Sequence, residues 1–403
     1  MRKISLILIL GLSLIIVASG CKKRKNPVEP IVLKQFGYFT IKDNLWPALN
    51  NPPLSNTFSF PSRTVMVYIP GEVPVDDQGR PPLTWKKKYP VLYFLTDFGQ
   101  EALFFANTYR VKDIADELIA KGEIQPMLIV IADGSNNPHM GGGFYVNSIG
   151  GNYGDYIALD LRLQIDTLFY GRIVIDSTKK RGISGVGMGG YGAFRVAMDN
   201  PLLYGSVSAI SAPLSIEAGP NGDWFNDYLW ATAVQQEGLV ISPYPDSNKV
   251  PIPWLKTNPA TSWLFGMALG FSPHDTADTD SSSYFKIEGF PVGGPFRGVN
   301  LPFDSAGVRR DSIWNEWLKN DIKTLLAGPK SGSLSNTKVY FEVGDQDSYM
   351  LHVANKNFNS FMATQSYTYT YNEFTGYGNF PADHFNYAFD RIVAILKFHS
   401  SNF

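Results

Sequence analysis

The chain has 403 residues, of which 44% are hydrophobic, 14% aromatic and 18% charged, with a formal net charge of -1. That is enough apolar material for a large core, in one large domain or two smaller ones. Near-neutral charge excludes a protein built to grip nucleic acid, which needs a basic face.

The first element is an address. Arg2 and Lys3 precede an almost unbroken apolar run from Ile4 to Val17, followed by Ala18-Ser19-Gly20-Cys21. The run falls short of the roughly 20 residues that span a bilayer, so residues 1–20 read as a signal peptide. Cys21 is the chain's single cysteine and has no internal disulfide partner. Small residues ending in cysteine resemble a bacterial lipobox, although Ala18 stands where that motif usually has Leu. The resemblance implies acylation at Cys21 and a protein held on the bacterial cell envelope by a lipid anchor. Residues 21–31, which include Lys22, Lys23, Arg24 and Lys25, suit a solvated basic tether.

Strand and helix signals then alternate. Val65, Val67 and Ile69 alternate as in a half-buried strand, and Tyr89 to Leu95 is the continuous apolar run of a strand covered on both faces. Ala106 to Ala120 has helical spacing, with Gly122 beyond it as a C-cap. Met127 to Ala132 reads as strand, Tyr156 to Leu168 as helix, Gly182 to Gly185 as a strand end, Gly190 to Met198 as helix and Tyr204 to Ile210 as strand. A second block follows near the C-terminus: strand from Lys338 to Val343, helix from Leu351 to Met362, strand from Tyr367 to Phe374 and a last helix from about His384 to His399. Such alternation predicts a mostly parallel sheet with helices on both faces. Between the blocks, from about 213 to 335, no period is visible. This stretch holds Trp224, Trp230, Trp254, Trp263, Trp314 and Trp317, side chains that serve either cap packing or sugar stacking. It is expected to form an insertion over the C-terminal edge of the sheet, where ligands bind in open α/β folds.

The sharpest segment is Ile183-Ser-Gly-Val-Gly-Met-Gly-Gly-Tyr-Gly-Ala193. A strand end, a glycine-packed turn and a helix start form the layout of a nucleophile elbow, G-x-S-x-G. In register, Gly185 and Gly189 are the flanking glycines, and Gly187 takes the nucleophile's place. The segment resembles ISGLSMGGYGA of the putative-esterase family of α/β-hydrolases, which includes feruloyl and acetylxylan esterases, S-formylglutathione hydrolases and mycolyltransferases. Tyr89 to Gly99 (YPVLYFLTDFG) resembles that family's YPVLYLLHGFG. Phe144 to Ser148, Asp155 to Ile157, Asn200 to Leu214 and Val339 to Asp347 follow at family spacing.

The resemblance implies an α/β-hydrolase fold for residues 32–403, no cofactor, and a carbohydrate or ester as ligand. It places the triad acid on Asp347, the base on His384, and the oxyanion donors on the backbone of Phe98 and Met188. Two departures follow. Gly187 has no side chain for His384 to deprotonate, and Ser184 is no substitute, since the family already has serine there. In the oxyanion turn, Asp97 either places a carboxylate against the developing negative charge, which opposes it, or points away. Two functions stay open. One is a pseudo-esterase that binds a glycan, an acyl ester or a protein in a degenerate cleft. The other is a slow ester hydrolase in which His384 and Asp347 activate a water. Gly187→Ser alone is expected to restore a nucleophile within reach of His384. The five histidines are scattered without ligand spacing, so a metal is not expected.

Overall fold

A nine-stranded sheet organises the chain, in the order β1-β2-β3-β5-β4-β6-β7-β8-β9. Its strands are β1 (Ile31–Gln35), β2 (Tyr38–Asp43), β3 (Arg63–Tyr68), β4 (Val91–Leu95), β5 (Leu128–Ala132), β6 (Arg181–Gly185), β7 (Ser206–Ile210), β8 (Lys338–Gly344) and β9 (Tyr369–Phe374). This is a computed structural model, and it describes residues 31–35, 38–43, 63–71, 73, 82, 84–134, 142–174, 177–239, 249–250, 257–275, 284–287, 296–304, 307–384 and 386–403. The expected signal peptide, Cys21, the basic tether up to Pro30 and Trp254 lie outside the described residues, and Ile31, the last residue assigned to the tether, opens β1. Among those described, no helix is long and apolar enough to cross a membrane.

From β5 to β9 every neighbouring pair is parallel, and β3 joins β5 antiparallel. Every residue of β4, β5, β6 and β7 is buried, which explains their continuous apolar runs: a parallel sheet is covered on both faces. The two-residue period still sorts them. Leu92, Phe94, Ile129 and Ile131 face a layer made by α1 (Ala102–Thr108), α2 (Val111–Ala120) and α9 (Ala388–Asn402). Val91, Tyr93, Leu95, Leu128 and Val130 face the layer of the helical run 153–168 (α3), α4 (Met188–Asp199) and α8 (Leu351–Met362).

Three elements differ from the sequence expectation. The helix expected over Ala106 to Ala120 is two helices, because Arg110 adopts a left-handed conformation, φ 50°, and turns the chain between them. The last helix starts at Ala388, so His384 lies in the loop before it. The stretch 213–335 is far from structureless. It contains α5 (Pro259–Phe271), α6 (Asp311–Leu318), α7 (Ile322–Ala327) and a four-stranded sheet that includes Pro273–Asp275 and Phe296–Asn300. Helix α5 shows no period because it has no wet face: every residue from Ala260 to Phe271 is buried, and a helix buried all round has no polar stripe.

Trp224, Trp263, Trp314 and Trp317 are buried, and the Trp230 ring stacks on Phe303 at 4.4 Å. These five tryptophans are packing groups. With the described part of the insertion they bind α5 to the body, where Trp263, Phe144 and Phe98 form one aromatic cluster.

Candidate active site

The site is assembled from three parts of the chain at the C-terminal ends of four parallel strands, the third part contributing the ends of both β8 and β9. The first is the turn from β6 into α4. Here the chain reverses within Val186 and Gly187, and Gly187 sits at φ 53°, ψ -116°. That region is sparsely allowed for residues with a side chain, and glycine enters it freely. The turn is tight enough that a Cβ on Gly189 would overlap the backbone of Leu95 in β4. Gly187 N–H donates to the Ile210 carbonyl at 2.9 Å, fixing the turn against β7.

Ser184, three residues earlier, does not reach this site. Its Oγ accepts from Ser208 Oγ at 2.7 Å, Ser208 lies 2.8 Å from His399 Nε2, and His399 Nδ1 lies 2.7 Å from Ser206 Oγ. The chain of hydroxyls is buried, and burial lowers the His399 pKa to about 3, so that ring is neutral.

The second part follows β4. Asp97, 2% exposed, turns its carboxylate inward. Asp97 Oδ1 accepts from the backbone N–H of Phe98 at 2.7 Å and of Met188 at 2.9 Å, the two donors expected to form an oxyanion hole. The other oxygen, Oδ2, lies 3.0 Å from His384 Nε2. Of the two orientations open to Asp97 in the sequence, the structure has the inward one.

The third part brings acid and base. Asp347 follows β8, and its Oδ1 accepts from Tyr349 N–H at 2.9 Å and Leu351 N–H at 3.3 Å. Its Oδ2 lies 3.1 Å from His384 Nδ1. The His384 loop is held from below by Arg391, which donates to the carbonyls of Asp383 and His384, to Glu342 Oε1 at 2.6 Å and to Ser211 Oγ at 2.6 Å. No sequence motif marked Arg391 or Glu342. The only signal was a glutamate inside an apolar strand, Val339-Tyr-Phe-Glu-Val343, which a buried cation must answer.

The result is a linear array: Asp347, His384, Asp97, then the two backbone donors. Burial opposes charging the His384 ring, but Asp347 and Asp97, one on each nitrogen, override it and raise the pKa from 6.5 to about 9. Burial also works against ionisation of Asp347, and the His384 charge and hydrogen bond outweigh it, lowering the Asp347 pKa. At neutral pH the ring is therefore an imidazolium donating to two carboxylates. A protonated ring can take no proton from a nucleophile. Above it, Tyr349 meets the imidazole edge-on at 4.8 Å, Trp263 lies at 6.3 Å, and Trp263 stacks on Tyr349 at 5.4 Å. His384 is left 1% exposed.

Residues 62–394 match the family model described as "Putative esterase". Among solved structures, the chain is similar to a ferulic acid esterase at 18% identity and a TM-score of 0.52, covering 91% of this chain and 99% of that one. An S-formylglutathione hydrolase from Agrobacterium tumefaciens is 14% identical with a TM-score of 0.50, covering 92% of this chain and 98% of the other. At such identities these likenesses speak for the fold.

Proposed function

The chain belongs to the putative-esterase family and has an α/β-hydrolase fold, and from that premise we propose that it is a pseudo-esterase whose cleft is silenced by its own Asp97. The observation that carries this reading is the double engagement of one carboxylate. An esterase needs an oxygen nucleophile at His384 Nε2 and two empty backbone donors for the oxyanion. Asp97 Oδ2 takes the first position and Oδ1 takes both donors. The side chain lies as the carboxylate product of ester hydrolysis would lie, bound permanently because it is part of the chain.

The water-activating alternative needs a neutral His384 with Nε2 free to accept a proton. The ion pair with Asp97 and the pKa of about 9 both speak against it. In serine hydrolases, loss of the catalytic residues costs about a million-fold in turnover, and here the donors that would sustain residual activity are engaged as well. A ligand in the cleft itself would have to displace Trp263 and Tyr349, so an ester, glycan or protein partner is better sought at the rim. The sequence of residues 1–31 supports a lipid anchor at Cys21 and a place on the bacterial cell envelope for this protein.

The test is hydrolysis of a chromogenic acetyl ester by the purified protein beside Asp97→Gly/Gly187→Ser. The wild type is expected to be inactive. Wild-type turnover that His384→Ala abolishes would replace this reading by the water-activating one.

A further inference from the structure

The two ends of the parallel strands carry opposite charge. Residues 84–90, 169–180, 200–205 and 328–338 lead into β4, β6, β7 and β8. They hold eight lysines and arginines against one carboxylate side chain, Asp176, which lies outside the described residues. At the cleft, residues 96–101, 133–152, 211–223, 345–350 and 375–387 leave β4, β5, β7, β8 and β9. They hold eight carboxylate side chains and no lysine or arginine. The formal net charge of -1 conceals this separation.

The basic segments share one edge. Tyr89 N–H donates to the Arg172 carbonyl at 2.9 Å, and across adjoining strands Val91 is opposite Arg181, Gly182 opposite Ser206, and Ser206 opposite Lys338. With strands about 4.8 Å apart, the four strand starts lie within about 15 Å. Lys86, Lys88, Lys179 and Lys338 are exposed and have no ion-pair partner among the described residues. The carboxylates at the ends of α3 and α4, which run down to this edge, are engaged: Asp166 with Arg162 and Arg181, and Asp199 with Arg195 and Lys330. Cations at the C-terminal end of a helix answer its dipole, but Lys86, Lys88 and Lys338 precede strands and have no such role.

Two apolar side chains stand out from the same edge. Leu202, in the turn from α4 to β7, is 74% exposed, and Tyr170, between α3 and Arg172, is 72% exposed. Lysines alone suit any polyanion. An exposed leucine gains nothing from a phosphate or sulfate polymer, whereas it gains from the acyl boundary beneath lipid headgroups, and a tyrosine settles at headgroup level. A cluster of about four to eight cations beside such groups fits the anionic surface of a phospholipid bilayer.

We propose that the N-terminal edge of the parallel strands docks on an anionic phospholipid surface and turns the cleft away from it, the acidic cleft end being repelled. The test is hydrogen exchange, read by mass spectrometry on the full chain in vesicles of phosphatidylglycerol or of phosphatidylcholine. Exchange at residues 84–90 and 169–180 is expected to be roughly threefold or more slower with phosphatidylglycerol, a difference that vanishes in about 0.5 M sodium chloride. Residues 96–101 and 375–387 should exchange alike in both lipids. Lys86→Gln/Lys88→Gln/Lys179→Gln should abolish the difference and Leu202→Asp should reduce it, with thermal melts establishing that the variants are folded. Equal exchange in the two lipids, slowing at the cleft segments instead, or protection by dextran sulfate that equals that by phosphatidylglycerol and is indifferent to Leu202→Asp would each overturn the proposal. The readout is independent of cleft chemistry and of acylation at Cys21, so failure here leaves both of those readings standing.

Discussion

Asp97 and Gly187 occupy one another's space: a Cβ built on Gly187 would overlap Asp97 Oδ1. The missing serine and the added carboxylate are therefore a coupled pair. A side chain at 187 excludes the Asp97 carboxylate from the backbone donors, and the carboxylate in place leaves room at 187 for glycine alone.

The first prediction corrects the simplest expectation from sequence, that Gly187→Ser alone restores a nucleophile. That substitution should give a protein with no measurable ester hydrolysis and a lower melting temperature. The serine meets both the Asp97 carboxylate and a backbone strain of about 1 to 3 kcal/mol. Asp97→Gly/Gly187→Ser clears the donors and the nucleophile position together, and should raise hydrolysis of a small activated ester by about tenfold or more over wild type. Activity in the single variant equal to that of the double would refute the coupling.

Stability should have a plateau set by His384 and Asp347. The folded pKa of His384, about 9, lies above the ordinary 6.5. Its contribution is therefore complete below about 6.5 and lost as the pH rises through 9. Asp347 has the opposite sign: its pKa is lowered from 3.8, so its contribution is present above that value and lost as the pH falls below it. Urea midpoints measured against pH should decline on both sides. In Asp97→Asn the alkaline decline should begin at lower pH, because one of the two anions holding the His384 proton is gone. A ring titration by NMR that is unchanged in Asp97→Asn would contradict the array.

Arg391 should be the most sensitive position beneath the site. It is 1% exposed and faces Glu342, whose pKa is raised by burial against the pull of Arg391. Removing one partner of a buried pair strands the other, at about 3 to 5 kcal/mol. Arg391→Met should fall in that range by urea unfolding, and Arg391→Met/Glu342→Leu should recover much of the loss. A loss near zero in the single variant would mean that the His384 loop is held by other contacts.

Cys21 gives a prediction from sequence alone. Labelled palmitate should be incorporated when the chain is expressed in a bacterial host, and Cys21→Ser should abolish the label and release soluble protein. An unlabelled wild type would remove the lipid-anchor proposal.

Residues near one another in sequence were the legible ones. The elbow Gly185 to Gly189 and the strand runs are local patterns, because a sharp strand-to-helix turn needs glycine and a strand covered on both faces needs an unbroken apolar run. The places of Gly187, Asp347 and His384 followed from those patterns by resemblance. Tertiary structure decided what those positions do to each other. Helix α5 was invisible because burial on all sides erases the period that marks a helix. Arg391 looked like an ordinary helix residue until its partners, Glu342 in β8 and Ser211 just past the end of β7, came from far away in the chain. The direction of Asp97 could not be read at all. A carboxylate after a strand end can face water or turn inward. Here it faces inward because Met188 and His384, 91 and 287 positions along the chain, offer a donor and a cation that exist only once the sheet has closed.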